Sequence, residues 1–142
     1  MSINFYMKNK KIRSLFISIR PKQWTKNLLV FSALIFAFEF DIGILGGTSL
    51  AFISFCLISS SIYLINDLLD IKDDKLHPIK KYRPIPNGEL SKFEIILSAS
   101  LLILLSIFLS SLISLNLASI IILYFLTQIL YCLRLKEEPI LD

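Results

Sequence analysis

Hydrophobic and polar residues alternate along this chain in long blocks. Four apolar runs stand out, at about 24–40, 48–70, 92–114 and 117–133. Each holds about 17–23 residues, enough for a helix to cross a hydrocarbon core about 30 Å thick. The blocks between them predict the boundaries. Residues 1–22 are basic and irregular, and no small-residue cleavage site follows the first apolar run, so an uncleaved first membrane helix is expected. Trp24 stands at its start, where an interfacial aromatic belongs, and Glu39 and Asp41 mark its far end. Gly43, Gly46 and Gly47 predict a short turn before the second helix. A polar loop over about 71–91 follows that helix. Ser91 and Glu94 form an S-x-x-E capping box ahead of the third, and Asn116 is the expected turn before the fourth.

Composition supports this pattern. Of 142 residues 55% are hydrophobic and the mean hydropathy is +0.70, whereas a soluble domain has about 45–50% apolar residues broken up by polar ones. The fold class expected is all-α integral membrane protein with four transmembrane helices. The net charge of +4 reflects topology, not a nucleic-acid partner. All 15 Lys and Arg residues fall in 1–26 (seven), 72–92 (six) or 134–136 (two). With four crossings these segments share one side, and the positive-inside rule makes that side cytoplasmic. The N-terminus, the 71–91 loop and the C-terminus are therefore expected in the cytoplasm, and the protein in the plasma membrane. Cys56 and Cys132 lie inside apolar runs and read as small core residues. Serines such as Ser59, Ser60, Ser61, Ser106 and Ser110 permit close helix packing in lipid. No protein partner is indicated.

Candidate chemistry concentrates in Asn66 to Gly88. Asn66, Asp67, Asp70, Asp73 and Asp74 open the stretch, and at about 100° per residue they share a helical arc of about 120°. Carboxylates on one face need a counter-charge, and acids at a helix C-terminus oppose its dipole. Mg²⁺ supplies such a charge and takes oxygen ligands together with substrate phosphates. Lys80, Lys81 and Arg83 follow between Pro78, Pro84 and Pro86. The prolines stiffen the loop, which suits phosphate binding; topology alone would explain the cations but not the prolines. His77 reads as a loop hydrogen-bonder and not as a metal ligand. Arg20, Lys22 and Lys26 stand at the same membrane level, either anchoring the chain at the interface or meeting a phosphate.

These residues resemble the UbiA superfamily of intramembrane prenyltransferases. The first aspartate-rich motif of that family, N-D-x-x-D-x-x-x-D, stands here as Asn66, Asp67, Asp70 and Asp74, with R-P-I-P-x-G at Arg83 to Gly88. Three further stretches are similar to the decaprenyl-phosphate phosphoribosyltransferase branch: R-P-x-Q-W-x-K-N at Arg20 to Asn27, H-P-x-K-x-x-R-P-I at His77 to Ile85, and Y-x-x-x-L-K at Tyr131 to Lys136. The resemblance implies that Asn66, Asp67, Asp70 and Asp74 hold Mg²⁺ and a diphosphate. It implies that Lys80 and Arg83 hold donor phosphates, and that Arg20, Lys22 and Lys26 hold donor or lipid phosphate. The donor implied is 5-phosphoribosyl diphosphate and the acceptor a polyprenyl phosphate, a reaction that feeds cell-wall precursors. Prenyl transfer from a polyprenyl diphosphate to an aromatic or other small acceptor is the alternative within the family. Members have about twice this length and a second acidic motif on a later helix. Residues 23–142 are therefore expected to form the N-terminal half of a UbiA-type bundle, with Asp142 at the start of a fifth helix. An inactive truncated remnant is the other reading.

Overall fold

A computed structural model describes residues 2–38 and 40–133, with the side chains of 2–6 and 8 left out of the description. Glu39, Arg134, Lys136 and the expected fifth-helix start at 137–142 lie outside the described residues. The described chain is helical: α1 Ser2–Ser18, a 3₁₀ helix Pro21–Phe31, α2 Ser32–Ala37, α3 Ile42–Leu69, α4 Ile71–Leu76, a 3₁₀ turn Lys80–Tyr82, α5 Lys92–Ile113 and α6 Leu115–Leu133.

Among the described residues three helices, α3, α5 and α6, are long and apolar enough to cross a membrane. In lipid every backbone polar group must be satisfied within the segment, which makes helix the default for such runs. α3 begins at Ile42, where the Asp41 carboxylate accepts from the Gly43 amide as N-cap. The expected turn at Gly43, Gly46 and Gly47 is thus the first turns of α3 instead, as glycine is tolerated inside membrane helices. Its 28 residues span about 42 Å, more than a hydrocarbon core, so its acidic end projects past the apolar layer. α5 starts at the capping box: Ser91 Oγ accepts from the Glu94 amide, and the Glu94 carboxylate accepts from the Ser91 amide.

Two segments depart from the sequence expectation. Residues 2–18 form α1 where an irregular stretch was expected. Its docking explains this: the Ser14 hydroxyl donates to the Glu89 carboxylate, Lys11 Nζ lies 2.6 Å from Glu94 Oε1, and Leu15 and Ile19 pack against buried Leu64, Ile85, Leu90, Ile95 and Ala99. The first apolar run, expected as a helix over 24–40, is a 3₁₀ helix followed by the short α2, which ends at Phe38 in the left-handed region (φ 53°). Three residues per turn put positions 24, 27 and 30 in one line. That line lies against α3: Trp24 Nε1 donates to Ser60 Oγ at 3.0 Å and Asn27 Nδ2 to Ser59 Oγ at 3.3 Å; beside the line, Phe31 meets the Phe52 ring at 5.6 Å.

α3 is the central element, packed on α5, α6 and the 3₁₀ helix. Its seam is small and polar. Ser54, Ser60, Ser61 and, on α5, Ser106 and Ser110 are fully buried, and Ser106 Oγ donates to the Ser54 carbonyl at 2.7 Å across the helices. Ile58 and Ile62 of α3 form a second apolar cluster with Ile121 of α6. The outward faces of α5 and α6 expose Leu104, Phe108, Leu112, Leu123 and Leu126. In water such a surface would drive association; against acyl chains it is the expected one.

Candidate active site

The site forms where α3 ends. Asn66 and Asp67 occupy its last turn, Asp70 caps it, and Asp74 sits on α4, whose backbone almost continues the ladder (Asp70 N to Asn66 O 3.0 Å, Asp74 N to Asp70 O 2.8 Å). The predicted loop 71–91 therefore opens with a helical turn. Asp67 and Asp74 are both 2% exposed. A buried carboxylate costs several kcal/mol unless paired, and both are paired. Arg20 Nη2 lies 2.5 Å from Asp67 Oδ1. One nitrogen, Arg83 Nη1, lies 3.6 Å from Asp67 Oδ1 and 3.4 Å from Asp74 Oδ2. Lys80 Nζ lies 3.5 Å from Asp74 Oδ1. Beside them Asn66 Nδ2 donates to Asp70 Oδ2 at 3.2 Å.

The loop that supplies Lys80 and Arg83 is fixed by its own bonds. His77 Nδ1 accepts from the amides of Ile79 (3.1 Å) and Lys80 (3.2 Å), the loop role expected of it. Pro84, Ile85 and Pro86 are buried, and the Asn87 amide donates to the Arg83 carbonyl at 3.0 Å. Gly88 turns the chain at φ 78°, a conformation suited to glycine.

Of the residues singled out in the sequence, Arg20, Asp67, Asp74, Lys80 and Arg83 form one charge cluster, with Asn66 and Asp70 adjoining it. Lys22 and Lys26 lie on the exposed side of the 3₁₀ helix and are not among the cations that reach Asp67 or Asp74. Tyr63 was not anticipated: its ring lies 4.8 Å below the Arg20 guanidinium. Its signal was available, since Tyr63 precedes Asp67 by one helical turn.

Among the described residues no three acidic, His or Cys side chains are arranged as a ready metal cage. The donor set nonetheless fits a hard divalent cation, being carboxylate and amide oxygen throughout. Asp67 and Asp74 are also close enough to share one cationic nitrogen.

The sequence profile of the UbiA prenyltransferase family matches residues 15–142. A Mycolicibacterium smegmatis protein named decaprenyl-phosphate phosphoribosyltransferase is 39% identical over 136 residues, covering 92% of this chain and 43% of its own. A Corynebacterium glutamicum protein of the same name is 39% identical over 130 residues, covering 88% and 39%. The nodulation protein NoeC of Azorhizobium caulinodans is 30% identical over 123 residues, covering 87% and 40%. The chain thus spans about two fifths of the length of these relatives.

Proposed function

The chain belongs to the UbiA prenyltransferase family, and on that premise we propose that the whole protein transfers a phosphoribosyl group from 5-phosphoribosyl diphosphate to a polyprenyl phosphate. Relatives bearing the phosphoribosyltransferase name at 39% identity support this choice within the family. The observation that carries it is the cluster itself: two buried carboxylates bridged by Arg83 and flanked by Arg20 and Lys80 at the end of α3. Such a cluster suits a ligand that brings both a cation and phosphates.

In this reading Asn66, Asp67, Asp70 and Asp74 hold Mg²⁺. When bound, the metal neutralises charge on the departing diphosphate. Arg20, Lys80 and Arg83 turn from the acids toward phosphate oxygens and keep the leaving group in place. The C1–O bond of the ribose breaks with its electron pair leaving on the diphosphate, through an oxocarbenium-like transition state. An oxygen of the lipid phosphate supplies the pair that forms the new C1–O bond. That oxygen is already anionic, so no general base is required of a chain with a single, structurally engaged histidine. Lys22 and Lys26, exposed on the 3₁₀ helix, meet the lipid phosphate or the donor's outer phosphate.

The protein is a multi-pass membrane protein. We place the N-terminus and the 71–91 loop on the cytoplasmic side from the grouping of Lys and Arg. Pro21–Ala37 serves as a fourth crossing in this reading, since the 3₁₀ helix and α2 together reach about 30 Å. Membranes holding the full-length protein, given Mg²⁺, labelled polyprenyl phosphate and 5-phosphoribosyl diphosphate, should form a ribosylated lipid. Prenylated product from a polyprenyl diphosphate and an aromatic acceptor, with no ribosylated lipid, would reject this assignment in favour of prenyl transfer.

A further inference from the structure

Arg20 is held in an unusual way. Its backbone is in the left-handed region (φ 52°, ψ 61°), which L side chains seldom adopt and which persists only where the surroundings impose it. Two bonds straddle it, and both end on one atom. The hydroxyl of Ser60, fully buried on α3, accepts from Trp24 Nε1 at 3.0 Å and donates to the Ile19 carbonyl at 2.9 Å. The Arg20 amide donates to the Ile17 carbonyl at 3.2 Å, and its carbonyl accepts from the Gln23 amide at 2.9 Å. On the same face of α3, three and seven residues beyond Ser60, stand Tyr63 and Asp67. These receive the guanidinium at 4.8 Å and 2.5 Å. One helix face thus holds the Ile19 carbonyl before Arg20, the Trp24 indole after it and, one and two turns further on, the Arg20 side chain.

We propose that Trp24 and Ser60 are positioning residues that aim Arg20 at the diphosphate site by clamping residues 19–24 to α3. Trp24 therefore does more than anchor the chain at an interface. Without the clamp, Arg20 relaxes toward an ordinary backbone conformation and its guanidinium leaves the Asp67 edge. The proposal rests on the reading of Arg20 as a diphosphate ligand.

The test uses the full-length protein, inorganic diphosphate and Mg²⁺, with binding followed by calorimetry. Ser60→Ala and Trp24→Phe should each weaken diphosphate binding about tenfold. In transfer assays they should raise the donor KM while kcat stays within twofold. Trp24→Phe keeps the ring and removes only the N–H, so it reports even if Ser60→Ala folds poorly. Ser61→Ala removes an equally buried hydroxyl that donates within its own helix, to the Ile58 carbonyl 2.7 Å away, and should leave binding unchanged. In an Arg20→Ala background, Ser60→Ala should have no further effect, because the clamp acts through Arg20. If Arg20→Ala weakens binding but Ser60→Ala and Trp24→Phe do not, the clamp is wrong and the reading of Arg20 stands. If Ser60→Ala is equally harmful with and without Arg20, its role is structural and the proposal fails. If Arg20→Ala leaves diphosphate binding intact, the reading of Arg20 fails and the clamp with it.

Discussion

Asp67 and Asp74 share more than burial: each faces a cation that also faces, or neighbours, the other's. Arg83 spans both carboxylates through one nitrogen, and this makes it the least replaceable cation of the three. A lysine there keeps the charge and loses the planar fork that grips phosphate oxygens in pairs. Arg83→Lys is therefore expected to raise the donor KM about tenfold, read from steady-state kinetics of the full-length protein. Asp67→Asn removes the acid that holds Arg20 and Arg83, and initial rates at saturating donor should fall about 10²–10³-fold. The acids and the proline-braced cations were legible in the sequence because their spacing is local. Arg20 as the partner of Asp67 was not, since 47 residues separate them, and nothing local records a pairing made by tertiary packing. Ser60 was hidden differently: it reads as one of the small residues that permit close helix packing in lipid.

The elements were legible wherever hydrophobicity alone decides them, as in α5 with its capping box and in α6, although Asn116, the expected turn, lies in the first turn of α6 and the break falls at Ser114. They were less so where docking decides. α1 is a helix with apolar and basic residues spread around it, and polar bonds join Leu15 in attaching it: Ser14 to Glu89, Lys10 to Glu89 at 3.9 Å, and Lys11 to Glu94 at 2.6 Å. The Ser14 hydroxyl bond, with Asn87, Lys10 and Arg13 contributing less, holds the Glu89 carboxyl below its ordinary value. A depressed folded pKa stabilises the docked state above the unfolded value, about 4.3, and that stability is lost as pH falls through the folded pKa. Amide exchange of α1, corrected for intrinsic rates, should thus quicken as pH drops below about 4. Glu89→Gln should quicken it at neutral pH and flatten the dependence. At the α3–α5 seam, Ser106 is fully buried against the Ser54 carbonyl. Ser106→Leu overfills that contact and should destabilise the bundle by about 1–3 kcal/mol, seen as a lower midpoint of thermal aggregation in detergent. The 3₁₀ helix escaped the sequence because periodicity over 24–40 reports only that the run is apolar. Its three-residue turn answers to Ser60, Ser59 and Phe52 on a helix that comes later in the chain.

At the scale of the whole molecule, the membrane class followed from block hydrophobicity. The three long helices, with Leu104, Phe108, Leu123 and Leu126 facing outward, are what that pattern requires. The chain spans about two fifths of the length of the relatives it matches. Sided labelling tests the arrangement of crossings. In spheroplasts, cysteines introduced at Lys22 and Lys81 should be reached only after the inner face is opened, and one at Asp41 from outside; labelling of Lys22 and Asp41 from the same side, with Lys81 on the other, would remove the fourth crossing. The central claim is that the acids at the end of α3 and on α4, with their cations, form the diphosphate site of a phosphoribosyl transferase. Its most direct measurement is mass spectrometry of lipids from full-length membranes incubated with polyprenyl phosphate, Mg²⁺ and 5-phosphoribosyl diphosphate. The expected result is a lipid heavier by one phosphoribosyl group, abolished by Asp67→Asn and Asp74→Asn. Unchanged ribosylated product in both variants, or none from the wild-type protein, would contradict it.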